Sequence, residues 1–150
     1  MERETIVREV TAIARKRLEC YGKLASLAEE QRSMLVESRD SDLSDNLAEF
    51  DPLLLEIMQL DRREETLQQH LEKARSNGRV IDLGGEYAHL TDRTVKTAKL
   101  LRDLTLINKE LLAGRMEFVN FSLGVIYKVA AEQSLAGDGD NPAIMLDFRA

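Results

Sequence analysis

The sequence predicts an all-α fold: an elongated antiparallel bundle of three long, coiled-coil-like helices with a mobile C-terminal tail. Three observations lead there. Charged residues make up 32% of the chain and aromatics 5%, with no Trp and two Pro, the balance of long amphipathic helices. Apolar residues recur at steps of three and four through whole stretches of the chain. Clusters of Ser, Asp, Asn and Gly interrupt that rhythm at two internal places and again before the end. A chain of 150 residues suffices for one domain with a modest core. The expected organisation is a bundle over 1–133 and a flexible tail over 134–150.

The first helix is expected over residues 2–38. Ile6, Val10, Ile13, Cys20, Leu24, Leu27 and Met34 form its seam, with Arg17 and Gln31 as the two interruptions. A seam this long implies a partner helix lying nearly along it. Val7, Ala14, Tyr21, Ala28 and Leu35 lie beside the seam and widen it, as a bundle helix requires. "SRDSDLSDN", Ser38 to Asn46, supplies the capping and turn residues for the first connection.

The second helix is expected over 43–76, with Leu53, Ile57, Leu60, Leu67, Leu71 and Ala74 on one stripe. Pro52 lacks an amide donor and clashes with the preceding turn. Because Leu43, Leu47 and Phe50 hold the apolar phase before it, a kink or short break is expected there. Asn77-Gly78 is a stop signal and Gly84-Gly85 a flexible pair, so residues 77–91 read as a loop, with at most a short turn near Glu86–Leu90. The third helix is then expected over 92–133, capped by Thr91 or Asp92.

That third helix carries two apolar faces. At about 100° per residue, Leu100, Leu104, Ile107, Leu111, Gly114, Phe118, Phe121 and Val125 share one face. Leu112, Met116, Val119, Leu123, Ile126 and Ala130 share another, about 140° away. A three-helix core uses one stripe from each helix. The second stripe is therefore covered by the loop or tail, absorbed in a broad core, or kept for a partner. Each large apolar side chain contributes roughly 1.5–3 kcal/mol on burial, so four or five hold a partner helix at about micromolar strength or better. Met34, Met58, Met116 and Met145 suit an adaptable surface, although core filling is the ordinary role of any one Met.

Chemistry is sparse. His70 has no second His or Cys at metal-ligand spacing, and His89 has Glu86 and Asp92 near it in sequence without a metal being expected there. Cys20 falls on the core seam with no His near it in sequence, as a small hydrophobe rather than a nucleophile. "LGGE" lacks the Lys-Ser/Thr sequel of a phosphate loop, and "DGDNP" places Pro142 at a ligand position of a calcium loop and has no closing Glu. No catalytic residue, metal or cofactor is expected, and no enzyme activity. The net charge of −6 and the interleaving of arginines with acids disfavour nucleic acid. A single cysteine fits a reducing compartment. "MERETIVREV" lacks a signal-peptide core, and no run reaches the roughly 18 apolar residues of a membrane span. A cytoplasmic location without membrane insertion is expected.

Four features give the chain a resemblance to a known family. "YGKLASLAEEQRSML" contains L-x-x-L-x-x-E-x-x-x-x-L at Leu24, Leu27, Glu30 and Leu35. "LSDNLAEFDPLLLEIMQLDRREETL" is a run of leucines leading to a Leu–Arg–Leu pattern. "NKELLAGRMEFVNFSLGVI" opens an apolar helix on Asn108, and Tyr127 is followed by a Gly/Asp/Asn turn and a short "LDFRA" ending. In these the sequence resembles the FlgN family, the flagellar type III export chaperones for hook–filament junction proteins; Pro52 departs from the family's uninterrupted second helix. The resemblance implies an ATP-independent cytosolic chaperone. It would bind the disordered C-terminal segments of hook-associated proteins, prevent their premature assembly and deliver them to the export gate. The client-binding residues expected are Leu112, Met116, Val119, Leu123 and Ile126. Tyr127, Ile144, Met145, Leu146 and Phe148 are expected to cover that face or to touch the export machinery. The chain is expected to be a monomer or weak homodimer. The rivals are a self-associating coiled-coil scaffold or stalk component without a client, and a regulatory nucleic-acid-associated helical protein.

Overall fold

The computed structural model describes residues 2–130, with side chains placed through Glu117 and at Asn120. Three helices account for nearly all of them: α1 (Arg3–Val36), α2 (Asp40–Ser76) and α3 (Gly84–Ala130). α1 runs up, α2 returns antiparallel to it, and α3 runs up again, parallel to α1. α1 is the central element and packs against both others, whereas among the described residues no Cα of α2 comes within 8 Å of one in α3. The latter two meet through side chains.

The core follows the expected α1 seam, except that Met34 is half-buried and its neighbour Leu35 is buried in its place. Ile6, Val10, Ile13, Cys20, Leu24 and Leu27 are all buried, and Leu24 is 0% exposed. α2 contributes Phe50, Ile57, Leu60 and Leu67, and α3 contributes Leu101 and Leu104. On α2 and α3 the buried positions follow steps of three, four and seven, so each buries one narrow stripe; α1, which has a neighbour on two sides, buries a wider face that adds Ala14, Ala25, Ala28 and Leu35 to its seam.

The polar residues on these stripes meet one another. Gln31, Asn46 and Asn108, one from each helix, are buried at 7%, 2% and 4% exposure. Gln31 Nε2 donates to Asn46 Oδ1 at 3.4 Å, and Asn46 Nδ2 donates to the Leu27 carbonyl at 3.0 Å. Asn108 Nδ2 donates to both the Ala28 carbonyl and Gln31 Oε1, each at 2.9 Å. A buried amide left unpaired costs about 1–3 kcal/mol, so this layer is tolerable only when all three helices stand at one axial offset. Asn108 Oδ1 alone has no donor among the described residues. Two heptads toward the other end lies a charged layer. Arg17 pairs with Glu64 and, at 2.9 Å, with Asp61. Tyr87 Oη of α3 donates to Glu64 Oε1 at 3.3 Å. Burial works against the Arg17 charge, but the hydrogen bond and charge of Glu64, with Asp61 behind them, outweigh it and hold the guanidinium more firmly protonated than usual.

The helix ends follow the backbone's unpaired groups. α2 stops in a Schellman motif: Arg79 N donates to the Ala74 carbonyl at 2.9 Å and Gly78 N to the Arg75 carbonyl at 3.0 Å, with Gly78 at φ +76°. α1 ends with the same six-residue closure, from Arg39 N to the Met34 carbonyl at 2.9 Å, but Ser38 occupies the left-handed position at φ +58°. A Cβ there costs roughly 1–2 kcal/mol.

Three expectations change. The segment 77–91 is not a loop throughout: α3 begins at Gly84, two turns before Asp92. Asp82 Oδ1 accepts from Gly84 N at 3.0 Å, and Leu90 and Thr94 are buried on α1. Packing of this first stretch outweighs the roughly 1 kcal/mol that each glycine costs a helix. α2 starts at Asp40 and is unbroken through Pro52. The ring is exposed, and Asn46 and Phe50 before it, with Ile57 and Leu60 after it, hold both halves to the core. Leu100 and Ile107 are not core residues; they are 52% and 40% exposed, and the stripe passes instead through Leu101, Leu104 and Asn108.

Ser38→Gly is expected to raise stability by up to about 1 kcal/mol, read as a higher urea midpoint with an unchanged slope. Asn46→Leu, which strands Gln31, is expected to lose about 1–3 kcal/mol in the same titration. Replacing Gln31, Asn46 and Asn108 together by Leu removes every stranded amide. The expected result is a protein at least as stable as the parent but with mixed association states by sedimentation.

Candidate functional site

The register set by the two polar layers brings the upper end of α1, the start of α2 and the middle of α3 to one level. Arg115 of α3 pairs with Asp40, the first residue of α2. α1 has ended at Val36, and only residues 37–39 connect it to α2. α3 nevertheless continues to Ala130. At about 1.5 Å per residue, residues 116–130 amount to roughly 22 Å of helix, far more than a three-residue connection can flank.

Where α3 leaves its neighbours there is a notch of about 230 Å³, lined by Asp40 and Leu43 from α2 and by Leu112, Arg115, Met116 and Asn120 from α3. Leu112, Met116 and Leu43 are half-buried and form its apolar floor. The Arg115–Asp40 pair closes one side. Asp40 sits in the first turn of α2, together with Asp42, where a carboxylate complements the positive end of the helix dipole.

Of the expected client-binding residues, Leu112 and Met116 thus come together with a second wall. Val119, Leu123, Ile126 and Tyr127 fall on the continuing backbone of α3, but their side chains lie outside the described residues. Ile144, Met145, Leu146 and Phe148 also lie outside them. Asp40 and Leu43 were missed by sequence reasoning because "SRDSDLSDN" reads as a turn. The one available signal was Leu43, in phase with Leu47 and Phe50.

Other chemical groups are occupied structurally. Cys20 is buried at 2% exposure. Burial, aided by the nearby carboxylate of Glu56, pushes its thiol up to about 11. His70 and His89 are exposed. Among the described residues, no three His, Cys, Asp or Glu side chains are grouped so as to hold a metal ion, and no helix is long and apolar enough to cross a membrane. A wider furrow between α1 and α2, about 660 Å³, passes over Gly22, Ser26 and Pro52 and is edged by Glu19, Lys23 and Glu49. No family model matches this chain, and neither a curated protein nor a solved structure matches it.

Iodoacetamide at pH 8 is expected to label Cys20 slowly in the native protein and rapidly in urea. A thiol that stays neutral longer when folded favours the folded state below its ordinary range. That contribution is expected to fade as pH rises from about 9 toward 11, and titrating urea midpoints of the parent against Cys20→Ser measures it.

Proposed function

We propose that this protein is a cytosolic export chaperone of the flagellar type III pathway. In this reading it holds the C-terminal segments of hook-associated proteins in a non-assembling state and hands them to the export apparatus. The observation that carries this reading is α3, which outruns α1 and α2 by about four turns while its sequence stays apolar on two faces. A helix apolar on more than one side calls for cover on more than one side. A client that polymerises through amphipathic helices supplies a matching surface in the helix-in-groove mode. The FlgN-like sequence features fall on the same elements: the leucine patterns on α1 and α2, and the Asn108-led apolar stretch on α3.

The scaffold alternative drew on the long seams of the first two helices. Those seams are used inside one chain, since Val10, Ile13, Leu24, Phe50 and Leu60 are each 3% exposed or less. They are therefore unavailable for a second coiled coil. Exposed apolar residues remain on all three helices, Val36, Leu55 and Met58 together with Val95, Leu100 and Leu106, and light scattering checks whether they self-associate: a stable dimer that fails to release a subunit to clients favours the scaffold.

A pull-down from the lysate of a motile cell is expected to retain hook-associated proteins on the tagged chain. Val119→Asp with Leu123→Asp is expected to reduce that retention at least tenfold while leaving helical circular dichroism intact. Loss of helicity together with retention would make those residues structural. Deleting residues 134–150 is expected to raise client affinity if the tail competes for α3 and to lower it if the tail adds contacts. Unchanged affinity removes the tail from the mechanism.

A further inference from the structure

The hairpin of α1 and α2 sorts charge along the bundle axis. At the end that carries the notch, residues 25–51 and 104–117 hold ten Asp and Glu against four Lys and Arg, a net charge of −6. At the other end, residues 2–24 and 52–103 hold thirteen against fifteen, a net charge of +2. Three of the four cations at the notch end are already engaged. Arg115 pairs with Asp40, Arg39 with Glu37 at 2.6 Å and more loosely with Asp42, and Arg32 with Glu29 at 3.9 Å. Asp45, Glu49 and Asp51 are exposed and, among the described residues, have no ion-pair partner. The apolar floor of Leu43, Leu112 and Met116 therefore sits at the end of the bundle that carries the net negative charge, although Asp45 lies round the helix from Leu43 and Glu49 lines the furrow between α1 and α2.

We infer that the occupant of the notch is an amphipathic helical segment with an apolar stripe flanked by Lys or Arg. This deepens the chaperone reading and rests on it. The apolar stripe covers Leu43, Leu112 and Met116. The basic flank is drawn by the net negative charge of that end of the bundle. Opposite charge across an apolar contact speeds encounter and selects partners more than it tightens them. A carrier that must also release its client gains from that division. The field is strong within about one Debye length, roughly 10 Å at 0.1 M salt and longer at about 50 mM, so along the axis from Leu43 Asp45 and Glu49 fall inside that reach and Asp51, about 12 Å on, at its edge.

The test uses the full chain and two synthetic fluorescent helical peptides with one shared Leu/Ile/Phe stripe, one flanked by Lys and Arg and the other by Glu. By anisotropy at about 50 mM salt, the basic peptide is expected to bind at least tenfold more tightly. The gap is expected to shrink to about twofold at roughly 0.5 M, where screening shortens the field. Asp45→Lys with Asp51→Lys, both at exposed positions, is expected to abolish or invert the preference. Asp45→Asn with Asp51→Asn is expected to weaken it and serves where the Lys variant folds poorly. Equal binding of both peptides overturns the charge selection and leaves the chaperone reading standing. Binding of neither, with or without a stable dimer by sedimentation, overturns both, and the dimer assigns the notch to a second copy.

Discussion

The amide contacts among Gln31, Asn46 and Asn108 fix the axial offset of the three helices, and the rest of the geometry follows from that offset. Seams of Leu, Ile and Val are nearly degenerate: sliding one helix by seven residues buries the same kind of surface. The polar layers break that degeneracy. Arg17 and Gln31 lie two heptads apart on α1: Arg17 pairs with Glu64 of α2, which in turn accepts from Tyr87 of α3, and Gln31 bonds Asn46 of α2 and Asn108 of α3. A slip of α3 by one heptad would detach Asn108 from Gln31 and Tyr87 from Glu64 together. Each buried polar group so stranded costs about 1–3 kcal/mol, a large share of the marginal stability of a small domain.

The same offset creates the candidate site. With Asn108 beside Ala28 and Gln31, Arg115 comes level with the first turn of α2. Everything in α3 after Arg115 then has no length of α1 or α2 to lie along. The notch is the junction between the part of α3 that has partners and the part that has outrun them. Its lining reflects both, with apolar Leu112 and Met116 on one wall and the charged start of α2 on the other. Register thus links core energetics to the surface on which the proposed function depends.

Charge sorting follows from topology as well. The acids of "RDSDLSDNLAEFD" follow the "EE" of α1, Glu29-Glu30, by about ten residues and run back antiparallel to it. The turn at Ser38 brings them to one end, and the parallel return of α3 adds the apolar floor there. Neither half of this arrangement makes a docking surface alone: a carboxylate cluster without an apolar floor is a solvated face, and an apolar notch without charge has little selectivity.

Much of this was legible in the residues. The α1 seam, its two interruptions and its flanking positions were all visible from spacing, because an amphipathic helix of this length leaves a strong three-four signal. The stop at Asn77-Gly78 was visible because only a left-handed closure suits it. The start of α3 was not, because Gly84-Gly85 opposes a helix locally and is overruled by the burial of Leu90 and Thr94 against α1. The core face of α3 was assigned about one residue out of phase, since Leu100, Leu101, Leu104 and Ile107 offer two neighbouring stripes and only contact with α1 selects between them. By itself, then, the sequence determined that there are three helices, most of the residues that the first two bury (Met34, Leu53, Leu71 and Ala74 are only half-buried, and Asn46 is buried instead of lying in a turn), and that the last helix is apolar on more than one side. These are local matters of periodicity and capping. The tertiary structure alone decided which polar residues meet, where α3 parts from its neighbours and which acids surround that point. Each of those depends on the axial offset between helices, which is set by hydrogen bonds between residues as many as 80 positions apart.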